Sequence, residues 1–387
     1  MRVLFLVSRL PYPPWRGDQV RAYHQLRQLA GRHEITVALA GKAPTMEDRA
    51  HVEGLGVEVA VIPVSAAGVV ARVATRLPFD RRPLQSLPFT GRAARRRVAE
   101  LAGSADLVHA QLARIAPLLP EDGPPIVLDM IDAMSANLRR RARLDRSLRG
   151  LASHRESRRL LRYEARLERM GVTVVAATDA DATALGEGVI VVPNGVDLEQ
   201  FRFRAEGRDA SALVFAGNLG YFPNVDAARV AAAEVLPIVR GALPGATLTL
   251  AGARPARAVR RLRRLPGVDL VAEPADLGAV VARAAVAVIP MRAGSGVQNK
   301  LLEAMAVGTP VVTTPRAAAA VGATPGEHLM TGADPASLAR AALGLLGDDE
   351  AARAMAARAR HFVETRFGWA DATELLERVW LRAASAT

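Results

Sequence analysis

Residues 286–313 read VAVIPMRAGSGVQNKLLEAMAVGTPVVT. An apolar run at 286–289 stops at Pro290, and a glycine-bearing loop follows. Apolar residues return at helical spacing over 301–307, Gly308 ends that helix, and a second apolar run occupies 310–313. Strand, loop, helix and strand in so short a span form a βαβ unit, and strands without polar alternation are the kind buried on both faces of a parallel sheet.

The same alternation extends in both directions. Toward the amino end of this half the sequence predicts strands at 213–216, 246–251 and 268–271 and a helix at 225–240; beyond 313 it predicts helices at 336–346, 350–364 and 369–384. The first half begins with a strand at 3–7, punctuation at Pro11, Pro13, Pro14 and Gly17, and a helix at 20–30. Further strands follow at 35–40, 57–64, 107–110, 126–129 and 172–177. Repeated β–α alternation specifies doubly wound parallel sheets, and 387 residues exceed what one core usually organises. The pattern changes in VIVVPNGVDLEQF at 189–201, where Pro193, Asn194 and Gly195 make a turn after a strand. The expected organisation is therefore an α/β domain at 1–195, a second at 196–367, and a terminal helix over 368–387 that crosses back onto the first. Tandem domains of this kind bind ligands in a cleft facing the carboxyl ends of both sheets.

Composition narrows the function. Half of the residues are hydrophobic, 23% are charged and none is cysteine, so disulfides, zinc-thiolate sites, Fe–S clusters and cysteine nucleophiles are excluded and a reducing cytoplasm is the expected location. The amino-terminal apolar run is too short for a signal-peptide core or a spanning helix. Net charge is +12, and residues 65–170 supply most of it, with 21 arginines, no lysine and 11 acidic residues. Only 4% of the chain is aromatic, with no stacking platform among those arginines, which argues against nucleic acid. An anionic membrane surface, a phosphate-bearing substrate or plainly solvated helix faces fit the charge equally. There is no Walker loop; Ser8, Arg9, Leu10 and Pro11 follow the first strand where a dinucleotide-binding fingerprint would stand. The seven histidines show no metal-ligand spacing, and H-E-x-x-H and G-x-S-x-G are both missing.

The loop and helix at 290–308 remain. Backbone N–H groups at a helix start favour anions, so Gly294, Ser295, Gly296, Val297, Asn299 and Leu301 are candidates to cradle a diphosphate, with Arg292 and Lys300 as cations. Glu303, about one turn beyond Lys300, can accept both hydroxyls of a ribose. The same spacing also fits an ordinary turn with an exposed Lys300–Glu303 pair.

The run 299–312, with PNGVD at 193–197, resembles the donor half of retaining glycosyltransferases of family 4, which have the GT-B fold. The resemblance implies two Rossmann-like domains and transfer of a sugar from a UDP- or GDP-sugar to an acceptor hydroxyl, with no cofactor and no divalent metal. It implies attack on the face from which the leaving group departs, the departing phosphate oxygen taking the proton. Glu303 corresponds to the ribose-binding glutamate; Ser295 stands where the family usually has another glutamate. The loop FAGNLGYFPNVD at 215–226 lacks the family's usual phosphate-gripping Arg and Lys-Gly. It is similar instead to a G-N-L-x-Y-x-P-N-x-D subgroup associated with exopolysaccharide clusters, which makes Gly217 and Asn218 donor candidates; Pro223 and Asn224 also read as a helix start with Asn as N-cap.

In the first domain, Gly17 corresponds to a glycine that lets backbone approach the donor phosphates. Asp18 and Arg21 fall on the acceptor side, although Asp18 is more simply a helix cap. The resemblance also implies that His109 faces the donor sugar, Asp132 is acceptor-side or structural, and Glu273 lies near the base or in solvent. The implied acceptor is a saccharide, a lipid-linked intermediate or a small molecule. The amphipathic stretch 69–89 would suit peripheral attachment to the inner face of a membrane. A catalytically weak sugar-nucleotide- or polysaccharide-binding protein, a basic nucleic-acid-binding protein and a sugar-phosphate epimerase stay open as alternatives.

Overall fold

The computed structural model describes residues 1–64, 82–144, 148–168, 170–293 and 297–386. Most of the amphipathic stretch at 69–89, and the loop residues Gly294, Ser295 and Gly296, lie outside the described residues. The chain forms two compact units, Met1–Pro193 with Trp369–Thr387, and Asn194–Gly368.

The first unit is built on β1 (Arg2–Val7), β2 (Glu34–Gly41), β3 (Glu58–Pro63), β4 (Leu107–Gln111), β5 (Ile126–Ile131), β6 (Thr173–Ala176) and β7 (Ile190–Val191). They pair in the order β3-β2-β1-β4-β5-β6-β7, all parallel. Strand β4 is buried along its whole length and β1 is buried after its first residue, because helices cover both faces. Helix α1 (Gly17–Leu29) follows β1 and buries Ala22, Leu26 and Leu29 against it; α2 (Arg92–Ala102) precedes β4.

The second unit repeats the plan with β8 (Asp209–Ala216), β9 (Thr247–Gly252), β10 (Val268–Ala272), β11 (Ala284–Ile289), β12 (Val311–Thr313) and β13 (Met330–Thr331). The order is β10-β9-β8-β11-β12-β13, again parallel. Three helices matter below: α3 (Phe222–Val230), α4 (Arg257–Leu262) and α5 (Asn299–Ala306). The doubly wound expectation is met in both units, with two differences of detail. The two-residue edge strand β13 has no readable pattern, and the single helix expected over 225–240 is interrupted by a π-helical segment, Ala231–Val235.

Helix α6 (Trp369–Ser385) packs on the first unit, where Leu376, Val379 and Trp380 are buried with Phe5 and Val7 of β1. At its outer edge Glu377 accepts from Arg32 Nη1 at 2.5 Å and pairs with His33 Nε2 at 2.7 Å. No helix among the described residues is long and apolar enough to cross a membrane.

In open parallel sheets ligands bind where the strand order reverses. Strand order reverses on either side of β1 and of β8, so the loops leaving neighbouring strands part there and open a crevice at the carboxyl ends. In the second unit the loops leaving β8 and β11 border it, beginning at Gly217 and at Pro290.

Candidate active site

Two glycines floor the crevice of the second unit. Gly217, at φ +147°, follows β8, and Gly252, at φ +138°, ends β9. A Cβ on Gly252 would fall 1.8 Å from Gly217 O, so only glycine lets these backbones meet. A Cβ on Gly217 would meet Lys300 Cε at 3.1 Å and Asn224 Nδ2 at 3.2 Å, which places the Lys300 stem directly over the bare backbone.

Lys300, in the first turn of α5, is buried, and its Nζ donates to Gln298 Oε1 at 2.9 Å. Burial lowers its pKa to about 8, Glu303 acting in the opposite direction. Burial raises the Glu303 carboxyl to about 7, and Lys300 offsets part of that rise. A buried ammonium and a half-buried carboxyl thus stand one turn apart on one helix face. Asn299 Oδ1 accepts from Asn194 Nδ2 at 3.3 Å, and Val297 is half-buried. Leu301 is fully buried in the core, so only its backbone is available to a ligand.

The loop after β8 is held by its own polar groups. Asn224 Nδ2 donates to Asn218 O at 2.9 Å, and Gly220 N donates to Asn218 Oδ1 at 3.1 Å. Asn224 is not the N-cap that the sequence suggested; α3 begins earlier, with Tyr221 in the cap position, and the Asn224 side chain reaches back to brace the loop. Arg292 also departs from expectation. It forms a two-pronged pair with Asp226 of α3, Nε to Oδ2 at 2.9 Å and Nη2 to Oδ1 at 2.5 Å, so its charge is already matched. Glu273 is exposed.

In the first unit the candidates separate. Gly17 opens α1 with no heavy atom within 4 Å of where a Cβ would stand. Asp18 does not cap that helix; its Oδ2 accepts from Arg9 Nη1 at 2.5 Å. Arg21 is corrected from an acceptor contact to a core residue. It is wholly buried, with Nε on Asp129 Oδ2 at 2.6 Å and Nη1 on Pro193 O at 3.2 Å, while Gln25 Nε2 reaches the same carboxylate at 3.3 Å. His109 also lies in the core, stacked on Phe5 at 4.4 Å, with Nδ1 accepting from Trp380 Nε1 at 3.0 Å. Burial takes its pKa down to about 4, so the ring is neutral. Asp132, after β5, is pushed up to about 8 by burial and by nearby Asp181.

Backbone strain marks the same sheet edges. The non-glycine residues with positive φ among the described residues are Leu112 (+75°), Ile131 (+62°), Arg254 (+53°) and Glu273 (+51°), each at or just past the carboxyl end of β4, β5, β9 or β10. Such conformations cost roughly 1–3 kcal/mol each and gather where loops are shaped for ligands. Asp226, Gln298 and Gly252 carry no role in the reading of the sequence. Asp226 closes the G-N-L-x-Y-x-P-N-x-D loop, but its partner lies 66 residues away. Nothing local flags the other two.

Comparison with known proteins fits this geometry. Residues 210–348 match the family model Glycosyl transferases group 1. The matched segment contains the glycine floor, Asp226, Arg292, Lys300 and Glu303. Glycogen synthase of Mycobacterium tuberculosis is 30% identical over 231 residues, covering 55% of this chain and 54% of that protein. The chain therefore matches about half the length of these curated relatives. Among solved structures, Anabaena HepE in complex with UDP and glucose superposes with a TM-score of 0.69 at 15% identity, over 98% of this chain and 99% of that one. Sucrose-phosphate synthase of Thermosynechococcus elongatus gives 0.76 at 15% identity over the whole of both chains. The fold is that of GT-B glycosyltransferases.

Proposed function

We propose that this protein is a retaining, metal-independent glycosyltransferase of family 4 that moves a sugar from a nucleotide diphosphate sugar to an acceptor hydroxyl. The observation that carries the reading is the Lys300 stem laid over Gly217 with Glu303 one turn along α5, at the switch point of a unit whose segment 210–348 matches the group 1 family model. With a pKa near 8, Lys300 is mostly an ammonium at neutral pH. It meets the charge that develops on the departing diphosphate, and scarce water strengthens that interaction. The start of α5 and the glycine floor present backbone to the phosphates, and Glu303 receives the ribose hydroxyls. The UDP complex of HepE favours a UDP-sugar donor. Arg292, tied to Asp226, shapes the loop and contributes less charge than a free guanidinium would.

On the acceptor side we assign Asp18, in the first turn of α1, together with Asp132, whose carboxyl is pushed up to about 8 by burial and nearby Asp181, while Gly17 lets backbone approach the donor phosphates. The acceptor oxygen attacks on the leaving-group face, and the departing phosphate oxygen takes its proton, so no protein nucleophile is required. The acceptor is a saccharide, a lipid-linked saccharide or a glycosylated small molecule, and the setting is the cytoplasm or the inner face of a membrane.

The test is a thermal-shift panel of UDP, GDP, TDP and ADP without metal, on wild type and Glu303→Ala. Ligand at about 100 times its Kd stabilises the folded state by about 2.7 kcal/mol, a clear rise in melting temperature. A shift with UDP that is lost in the variant is expected. Absence of a shift with every nucleotide on folded protein overturns the reading, and NMR of the anomeric product decides retention.

A further inference from the structure

Helix α4 has two opposed faces. Val259 is fully buried, Leu262 packs on the core of the second unit, and Leu265, just past the helix, does the same. Arg257, Arg260 and Arg261 recur at the i, i+3, i+4 spacing of the opposite face, Arg264 stands in the turn two residues past the helix end, and all four are exposed. With Arg263 and Leu270 of the edge strand β10 they line an open cavity of about 520 Å³.

The charge here is dense and of one sign. Between Gly252 and Gly267 stand six arginines and no carboxylate. Some surface arginines elsewhere are matched by acids, as in Arg2–Asp106, Arg229–Glu234 and Arg353–Asp349. Among the described residues, none of the five lining arginines is in an ion pair; Arg260 Nε donates to Pro255 O at 3.0 Å and leaves its charge unmatched. Like charges gathered on one helix face repel, and an anion that bridges them relieves the repulsion. Guanidinium forks match phosphate oxygens two at a time, so several at once select clustered phosphates over a single carboxylate. The lining contains no aromatic ring on which a base would stack, which disfavours single-stranded nucleic acid.

We propose that this cavity binds clustered phosphate groups, carried either by a soluble polyphosphorylated molecule or by the headgroups of an anionic lipid surface. The site is independent of the transferase reading, because its lining includes none of the residues assigned to donor or acceptor.

The experiment compares the full chain with Arg257→Gln/Arg261→Gln/Arg264→Gln and with a charge-matched control on α2, Arg92→Gln/Arg95→Gln/Arg96→Gln. All three targets in each variant are exposed, and thermal melts check that each protein folds. Probes are inorganic tripolyphosphate by titration calorimetry, and phosphatidylcholine vesicles with and without phosphatidylglycerol by co-sedimentation. Salt is held near about 0.15 M so that long-range attraction is screened. Binding at least about tenfold weaker in the α4 variant, and unchanged in the α2 control, is expected. If tripolyphosphate shows this loss the ligand is soluble; if only the phosphatidylglycerol vesicles do, it is a headgroup. Binding of neither probe, equal binding by wild type and α4 variant, or equal loss in both variants overturns the proposal. Arginine-dependent binding of a single-stranded RNA tighter than both probes also overturns it, in favour of a nucleic-acid surface.

Discussion

Glu303→Gln removes a charge and keeps the shape of the side chain, which separates what this residue does for binding from what it costs the fold. The Glu303 carboxyl is held at about 7 against an ordinary 4.5, first by burial, with Lys300 offsetting part of the effect. A folded-state pKa above the unfolded one means that the group's stability contribution is whole below pH 4.5 and is lost as pH rises through 7. The interval from 4.5 to about 7 corresponds to about 3 kcal/mol once pH is above both values. The glutamine variant escapes this loss but deprives Lys300 of an attractive neighbour, so a net gain of about 2 kcal/mol is expected near pH 7.5. Near pH 5 less than about 1 kcal/mol of that loss has developed, and the two proteins should melt almost together. For a unit of this size 2 kcal/mol corresponds to a rise of roughly 5 °C. The assay is nucleotide-free thermal melting at both pH values, repeated with UDP. A variant that is stabilised near pH 7.5 and has lost the UDP shift is the expected outcome. Equal melting temperatures near pH 7.5, or a difference that does not change with pH, would refute the argument that burial of the Glu303 charge strains the fold.

Three further outcomes follow from the packing. Gly252→Ala would drive a Cβ to 1.8 Å from Gly217 O, so it should destabilise by more than about 3 kcal/mol in urea unfolding. Trp380→Ala empties a fully buried site and frees His109 Nδ1, with an expected cost of about 3–5 kcal/mol. Trp380→Phe keeps most of the volume and loses the hydrogen bond, so about 1–3 kcal/mol is expected; equal losses in the two variants would argue against any role for that bond. Arg21→Met leaves the Asp129 carboxylate buried without its cation and should cost about 3–5 kcal/mol, whereas adding Asp129→Asn should restore part of it, as a double-mutant cycle by chemical denaturation would show.

Much of the fold was legible because parallel strands announce themselves. The runs at 3–7, 107–110 and 286–289 are apolar without alternation, and each lies in a strand buried along most of its length. β13 was not legible, because two residues carry no period. The candidate site was legible where chemistry is local: Lys300 and Glu303 fall one turn apart on α5. It was not legible where charge is matched at a distance. Arg292 reads as a spare cation until Asp226 is seen against it, Asp18 reads as a cap until Arg9 takes its carboxylate, and Arg21 reads as a polar residue on a functional loop until Asp129 encloses it.

By itself, then, the sequence determined the two doubly wound units and the position of the loop and helix proposed to bind the donor, because periodicity, glycine placement and helix starts are properties of neighbouring residues. The tertiary structure decided which charges remain free and which titrate abnormally. Solvent exclusion and ion pairing join residues tens to hundreds of positions apart, as with Arg292 and Asp226, Arg21 and Asp129, and Trp380 and His109. Only packing can reveal them.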